Sequence, residues 1–327
     1  MKIAIVNPSM HEIAALKQVL ASQCQLVWTA QSATEAVAKY LQTLPDLILV
    51  DAQLSAATTE QILKQAACSI LITTTDLREH ISAVYAAIEQ GAIDVVDISG
   101  LSGDRAETTE LLAKISRIGK RLISAHRSSS SYSRTVQKDG LIPLIAIGSS
   151  TGGPKALATI LAELPTNFRA AIVIVQHVDA HFSVGFAEWL SQQTRLPVKI
   201  ATAGARPERG TVLVAGTNDH LYLKSDLTLD YTPHPIEYAY RPSVDVFFKS
   251  LAQHWSRQGT AILLTGMGRD GAQGLQALRQ QNWQTIAQSQ ESCVVYGMPK
   301  AAVELNAAID VLSPTAIATN LSTLRFT

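Results

Sequence analysis

Short apolar runs without polar alternation constrain this chain most: DLILVD (46–51), SILITT (69–74), LIAIG (144–148), AAIVIVQ (170–176) and AILLT (261–265). A strand with one wet face alternates apolar and polar side chains, whereas a strand covered on both faces does not. Covering both faces takes helices, and the stretches between these runs carry apolar residues at helical spacing. The pattern predicts an α/β protein built on doubly wound parallel sheets. For 327 residues two such domains are expected, and 47 % hydrophobic against 17 % charged residues leaves apolar surface enough for two cores.

The first series occupies residues 1–103. Its predicted strands are Lys2–Val6, Leu26–Thr29, Asp46–Asp51, Ser69–Thr74 and Ala92–Ile98, and its helices His11–Ala21, Thr34–Leu41, Thr59–Gln65 and Arg78–Gln90. Residues 104–140 read as a last helix, Glu107–Ala125, and a basic Ser-rich linker, with seven Lys or Arg and no Asp or Glu between Lys114 and Lys138. A solvated linker is the plain reading of that stretch, and a docking site for an acidic partner the alternative. The second series fills residues 141–327. Strands at Leu144–Ile147, Ala171–Gln176, Ala261–Thr265 and Gln284–Gln288 alternate with helices at Pro154–Leu164, Ser183–Gln193, Ser243–Trp255, Ala272–Arg279 and Pro299–Leu305. A hairpin-rich section is expected between them, with short strands at Val198–Ala201, Thr211–Ala215, His220–Leu223 and Leu227–Tyr231.

Lys plus Arg equal Asp plus Glu at 27 each, so binding of the whole protein to nucleic acid or an anionic membrane is not expected. MKIAIVNPSM has no long apolar run or cleavage-like site, and no window reaches membrane-spanning length; a cytoplasmic protein without membrane insertion is expected. Cys24, Cys68 and Cys293 are odd in number and widely spaced, and read as buried free thiols of a reducing compartment. Neither cofactor nor metal is expected. GSSTGG (148–153) lacks the G-x-G-x-x-G spacing, the next strand ends in Gln176-His177 instead of an acidic ribose ligand, and Lys155 stands past the glycines. His177 and His181 could pair on a metal, but no strand-end Asp, Glu or Cys nearby completes the set.

Three strands of the second series end in groups suited to acyl transfer. The first ends in Ser149, Ser150 and Thr151, the second at His177, the third in a Gly-rich turn holding Asp270. In open parallel sheets ligands bind outside the carboxyl ends of the strands, so ends far apart in sequence can converge. A serine hydroxyl needs an imidazole to take its proton and a carboxylate to hold that imidazole in one tautomer. The turn after Ser150 opens a proline-started helix whose first N–H groups can face an oxyanion. Each residue also has a plainer reading: Ser150 as a capping or phosphate-cradling group, His177 as a core histidine, Asp270 as the cap of the helix at Ala272. Joint placement at three strand ends favours the catalytic reading. The order Ser–His–Asp, and GSSTGG in place of G-x-S-x-G, separate the chain from the nucleophile-elbow, chymotrypsin and subtilisin arrangements.

IGSSTGGPKAL, VIVQHV, YRPSVDVFF, LLTGMGRDGAQGL and CVVYGMPKAA follow one another across residues 141–327. Together they resemble the catalytic domain of the chemotaxis protein-glutamate methylesterases, the CheB family. The resemblance implies a hydrolase that releases methanol from glutamate methyl esters on the cytoplasmic helices of methyl-accepting chemoreceptors, and in some members deamidates glutamine. It implies Ser150 as nucleophile, His177 as general base and acid, and Asp270 as orienting carboxylate. Met267 would offer its backbone N–H to the oxyanion, and Thr151 belongs to the same turn. Arg241 and Arg269 lie in the matching strings and are candidates to receive acidic receptor surface.

Residues 1–103 resemble a response-regulator receiver, a flavodoxin-like fold, with Asp51 at the phosphoacceptor position. The chemistry departs from that pattern. Receivers place an acidic pair after the first strand to hold Mg²⁺, and Asn7-Pro8 stands there instead. Thr74 keeps the hydroxyl after the fourth strand, but the phosphate-pairing lysine after the fifth falls on Ile98, beside Asp97, where an acid would repel a phosphoryl group. With Asp51 the one carboxylate in view, the expectation is a pseudo-receiver with a vestigial Asp51, used for docking to a chemotaxis histidine kinase or array protein, for dimerisation, or for placement over the esterase. Two further functions stay open: a triad hydrolase of a non-chemotaxis signalling array, and a non-catalytic adaptor, against which Ser150, His177 and Asp270 speak.

Overall fold

The architecture comes from a computed structural model that describes residues 1–21, 23–54, 58, 60–62, 68–99, 101, 108, 111–116, 118, 142–238 and 240–323. The chain divides into two compact units, Met1–Ala125 and His126–Thr327.

In the first unit β1 (Lys2–Val6), β2 (Gln25–Ala30), β3 (Leu47–Asp51), β4 (Ser69–Thr74) and β5 (Asp94–Asp97) form a parallel sheet in the order β2-β1-β3-β4-β5. This is the flavodoxin-like order expected from the sequence. Helices α1 (Met10–Leu20), α2 (Ala33–Gln42) and α3 (Leu77–Gln90) each begin on a side-chain cap, Ser9, Ser32 and Asp76, that accepts an N–H of the first turn. Ile13, Leu16 and Leu20 of α1 pack with Ile3, Ile5, Leu47, Leu49 and Leu71 of the strands. Residues 60–62, 108, 111–116 and 118 are helical, inside the predicted helices Thr59–Gln65 and Glu107–Ala125. The remainder of both helices, and the Ser-rich stretch 128–133, lie outside the described residues.

The second unit holds a seven-stranded sheet in the order β14-β13-β12-β6-β7-β9-β8. Its strands, all parallel, are β6 (Leu144–Ser149), β7 (Ala171–Gln176), β8 (Val198–Ile200), β9 (Val212–Val214), β12 (Thr260–Leu263), β13 (Gln284–Gln288) and β14 (Asp310–Leu312). Among the described residues, only β10 (His220–Leu223) and β11 (Leu229–Thr232) pair as an antiparallel hairpin. The expected hairpin-rich section is thus corrected: β8 and β9 extend the main sheet. Three-residue strands between turns look alike whichever neighbour they join, and the open edge of β7 is what recruits buried Val212, Leu213 and Val214. The helices are α4 (Gly153–Ala162), α5 (Ala180–Gln192), α6 (Val244–His254), α7 (Ala272–Gln280), α8 (Met298–Glu304) and α9 (Pro314–Thr323). β14 and α9 lie beyond the last predicted element.

β6 is the first strand of this sheet, and its successor β7 lies on one side while β12 lies on the other. Strand order therefore reverses at β6, which opens a crevice at its carboxyl end. Gly148 shapes that end. A Cβ there would stand 2.2 Å from Val244 Cγ1, so the glycine lets the first turn of α6 descend onto the strand.

Candidate active site

Ser150 follows β6 at the reversal point and is buried. Its N–H donates to Thr265 O at 3.0 Å beyond the end of β12, and its carbonyl accepts from Gln176 Nε2 at 3.0 Å and from Gly153 N at 2.7 Å. Both neighbouring strands thus hold its backbone. Gly152 caps α4 with φ of 79° and no side-chain cap, which leaves the first-turn N–H groups without a side-chain acceptor. A side chain at Gly152 would meet Val294 at 2.4 Å as well as the left-handed φ. Thr151 is tied across the crevice, its carbonyl accepting from Thr265 Oγ1 at 2.9 Å.

His177 continues the ladder of β7, its N–H donating to Ser149 O at 2.9 Å. Its side chain is about nine-tenths buried, and Nε2 donates to Asp270 Oδ2 at 2.7 Å. Asp270 accepts three more hydrogen bonds, from Ser243 Oγ (2.7 Å), Val244 N (2.7 Å) and Asp245 N (3.0 Å). Burial alone would push this carboxyl up. The His177 hydrogen bond and charge, with the Asp245 N–H and Ser243 hydroxyl, outweigh burial and hold it below the ordinary value. An ionised Asp270 keeps the proton of His177 on Nε2, so Nδ1 carries the lone pair. That Nδ1 is buried and makes no hydrogen bond among the described residues. Such a pair can serve as a base, its free nitrogen fixed by an acid on the far side of the ring.

The plainer reading of Asp270, as cap of the helix at Ala272, is corrected by the structure. The cap position of α7 is Gly271, which offers no side chain, and Asp270 caps α6 instead. Asp245, in the first turn of α6, returns the favour by accepting from Gly274 N of α7 at 2.6 Å. Two helix N-termini thus exchange carboxylates, each placed where the helix dipole favours an anion. Ser243 is held in turn by His220, a fully buried histidine that accepts the Ser243 N–H at Nδ1 (3.0 Å) and bonds Pro235 O through Nε2 (3.0 Å).

The TGMG turn packs directly on the serine. A Cβ on Gly266 would lie 2.7 Å from Ser150 Cβ, and the Gly266 carbonyl accepts from Gly297 N (3.1 Å) and Met298 N (2.9 Å). Met267 comes next, and among the described residues its N–H donates to no acceptor. The structure thus brings Ser150, Thr151, His177, Asp270 and Met267 to one crevice. No hydrogen bond joins the Ser150 hydroxyl to His177; the register of β6 on β7, Ser149 opposite Gln176, sets them side by side. Arg269 directly precedes Asp270 and Arg241 lies two residues before Ser243. Both are exposed, Arg241 donating to Ile236 O at 3.2 Å and Arg269 pairing with Glu304 at 2.9 Å. Sequence reasoning missed Ser243, His220 and Tyr240, whose ring stacks on His177 at 4.5 Å between centroids. The Ser-x-x-Val spacing of a helix start was the one signal for Ser243. Tyr240 opens the string YRPSVDVFF, and nothing local marks His220.

In the first unit Asp51 ends β3 and is buried, accepting from Gln53 N at 2.9 Å. Asp51 is not the lone carboxylate there, which corrects the expectation. Asn7 Nδ2 donates to Glu12 Oε2 at 2.7 Å and lies 3.3 Å from Asp51 Oδ2, so α1 brings a second acid to the end of β3. Burial raises the Asp51 carboxyl first; the Gln53 N–H opposes, Glu12 adds to the rise and His80 opposes. Ile98 is buried in the apolar cluster, and Asp97 turns to its own chain, accepting from Ser99 N at 2.8 Å. Thr74 Oγ1 lies 3.2 Å from His80 Nδ1. Among the described residues, no group of three or more His, Cys, Asp and Glu is arranged to hold a metal ion. No helix among them is long and apolar enough to cross a membrane.

A family model described as CheB methylesterase matches residues 145–321. The chain is 45 % identical, over 98 % of its length, to the protein-glutamate methylesterase/protein-glutamine glutaminase 2 of Cupriavidus metallidurans, of which it covers 97 %. It is also 45 % identical to the protein-glutamate methylesterase/protein-glutamine glutaminase of group 3 operon of Pseudomonas putida, with 95 % of each chain covered. Among solved structures, the catalytic domain of Thermotoga maritima CheB methylesterase superposes with a TM-score of 0.53 at 36 % identity, covering 56 % of this chain and 98 % of that one.

Proposed function

The chain belongs to the CheB methylesterase family, and from that membership and the geometry of its crevice we propose that it hydrolyses glutamate methyl esters on the cytoplasmic helices of chemoreceptors. His177 Nδ1 takes the proton of the Ser150 hydroxyl as Oγ attacks the ester carbonyl. The Met267 N–H receives the oxyanion, and Thr151 fixes the turn that carries the serine. His177 then passes its proton to the departing methoxide, releasing methanol and leaving an acyl-enzyme on Ser150. Water, deprotonated by the same nitrogen, hydrolyses the acyl-enzyme to glutamate and regenerates the serine. A glutamine side chain in the same place would release ammonia by the same steps, which makes deamidation a second use of the site. The observation that carries this reading is the 2.7 Å pair of His177 and Asp270 with Nδ1 left unbonded beside the serine strand.

The catalytic part is residues 141–327 and the first 103 residues are a pseudo-receiver, in a cytoplasmic protein that meets a histidine kinase or array protein through that front part. Burial of Ile98 supports this reading, because an apolar side chain and not a lysine directly follows β5. Methanol release from methylated receptor membranes, compared between the full chain and Ser150→Ala, tests the esterase. Release that survives the substitution refutes Ser150 as nucleophile, and its absence from the unaltered chain refutes the substrate. Incubation with a phosphoryl donor and Mg²⁺ followed by intact mass tests the front part, where a stable adduct on Asp51 would refute the pseudo-receiver.

A further inference from the structure

We propose that Tyr240 is a positioning residue for His177, its ring holding the plane in which the imidazole takes and returns the serine proton. The inference rests on the reading of His177 as the base. The hydrogen bond from Nε2 to Asp270 fixes one point of the imidazole at 2.7 Å, yet the ring can still turn about that bond and swing Nδ1 away from the serine. Tyr240 removes that freedom. Its ring lies parallel to the imidazole, 8° between planes and 4.5 Å between centroids, so any turn drives the imidazole edge into the phenol face. The same face is the negative side of the ring quadrupole, and it stabilises the imidazolium that exists only once the proton has been taken.

The surrounding chain makes this a built arrangement. Tyr240 belongs to the segment that also supplies Ser243 Oγ, Val244 N and Asp245 N to Asp270. Six consecutive residues, Tyr240 to Asp245, therefore hold the face of the base and both oxygens of its acid. At its other edge the phenol packs on the oxyanion turn: a Cβ on Gly268 would lie 3.4 Å from Tyr240 Oη and 3.5 Å from Cε2. No hydrogen bond to the Tyr240 hydroxyl is formed among the described residues. The ring acts through its face, and a phenyl ring should do the same work.

The test compares Tyr240→Phe and Tyr240→Leu in the full chain. Phe is expected to keep kcat for methanol release within about twofold of wild type. Leu is expected to lower kcat about three- to thirtyfold with KM unchanged, the loss of one ring–cation contact. The rate at which a fluorophosphonate labels Ser150, which needs the base and no receptor, should fall by the same factor. In NMR spectra the His177 ring protons should lose their upfield ring-current shift in Leu and keep it in Phe. Leu at wild-type rates, a loss confined to KM, or Phe falling as far as Leu would each overturn the proposal. Failure of wild type to release methanol would sink the substrate reading alone, since labelling and NMR still report on the stack. Should Leu destabilise the unit, Tyr240→Met takes its place with the same expected loss.

Discussion

Replacing Asp270 by Asn separates the two duties of this side chain, orienting His177 and capping α6. The carboxylate accepts four hydrogen bonds, two on each oxygen: His177 Nε2 and Val244 N on Oδ2, Ser243 Oγ and Asp245 N on Oδ1. An amide has one oxygen, so its NH₂ group must face donors. On the Oδ2 side it would confront the N–H groups of Val244 and His177, and the imidazole would have to move its proton to Nδ1, the wrong tautomer for a base. On the Oδ1 side it confronts only the Asp245 N–H, because the Ser243 hydroxyl can rotate and accept. The second orientation costs less. It still orphans one buried N–H, at about 1–3 kcal/mol, and turns three charge-assisted bonds into neutral ones, at about 1 kcal/mol each. Relief of the buried charge offsets part of that, which leaves a loss on the order of 2–4 kcal/mol in a urea melt. Methanol release should fall about 10³–10⁴-fold, because the imidazolium no longer meets a carboxylate. A folded Asp270→Asn chain with kcat within tenfold of wild type would refute the orienting role. Unchanged stability would refute the capping role.

Gly266→Ala should lower kcat at least about tenfold and destabilise the unit by about 1–3 kcal/mol, since the new Cβ would stand 2.7 Å from Ser150 Cβ and 2.3 Å from Met298 Sδ. Fluorophosphonate labelling and a urea melt read both effects. The depressed Asp270 carboxyl sets a pH dependence: its stabilisation is complete above the ordinary value of 3.8 and is lost as pH falls through its lower folded value. Urea midpoints of wild type and Asp270→Asn should therefore converge in strong acid, and a gap independent of pH would refute it. For Asp51 the sign is opposite, because its folded value is raised above 3.8. Asp51→Asn should stabilise the first unit at pH 7 and lose that advantage in acid, as followed by urea unfolding at the two pH values; an advantage unchanged in acid would refute it.

Much of this molecule was legible because both-face burial leaves a blunt mark. DLILVD, SILITT, LIAIG and AAIVIVQ could hardly be anything but central parallel strands, and the groups at their ends located Ser150 and His177. What stayed hidden depends on partners chosen in three dimensions. Val198–Ile200 and Val212–Val214 carry no record of whether they fold back as a hairpin or dock on β7. Tyr240 and His220 act from irregular backbone and a hairpin strand, where no periodicity advertises a role. Glu12 was overlooked for a related reason: it reaches Asp51 from a helix, through Asn7, instead of from a strand end. β14 and α9 had a local signal, Pro314 at the helix start with Ile317 and Leu321 one turn apart, in a stretch too short to stand out.

The exchange of carboxylates between α6 and α7 gives the site a reporter that needs no substrate. The N–H groups of Val244 and Asp245 are shielded from solvent deuterons only while Asp270 accepts them. Their exchange rates therefore measure how often the acid leaves its place, and with it how often the base is unoriented. A ligand or domain contact that tightens the crevice would slow those two amides together, while one that merely covers it would leave their ratio to the rest of α6 unchanged. Readiness for catalysis could thus be followed by hydrogen exchange at two backbone positions in the resting protein.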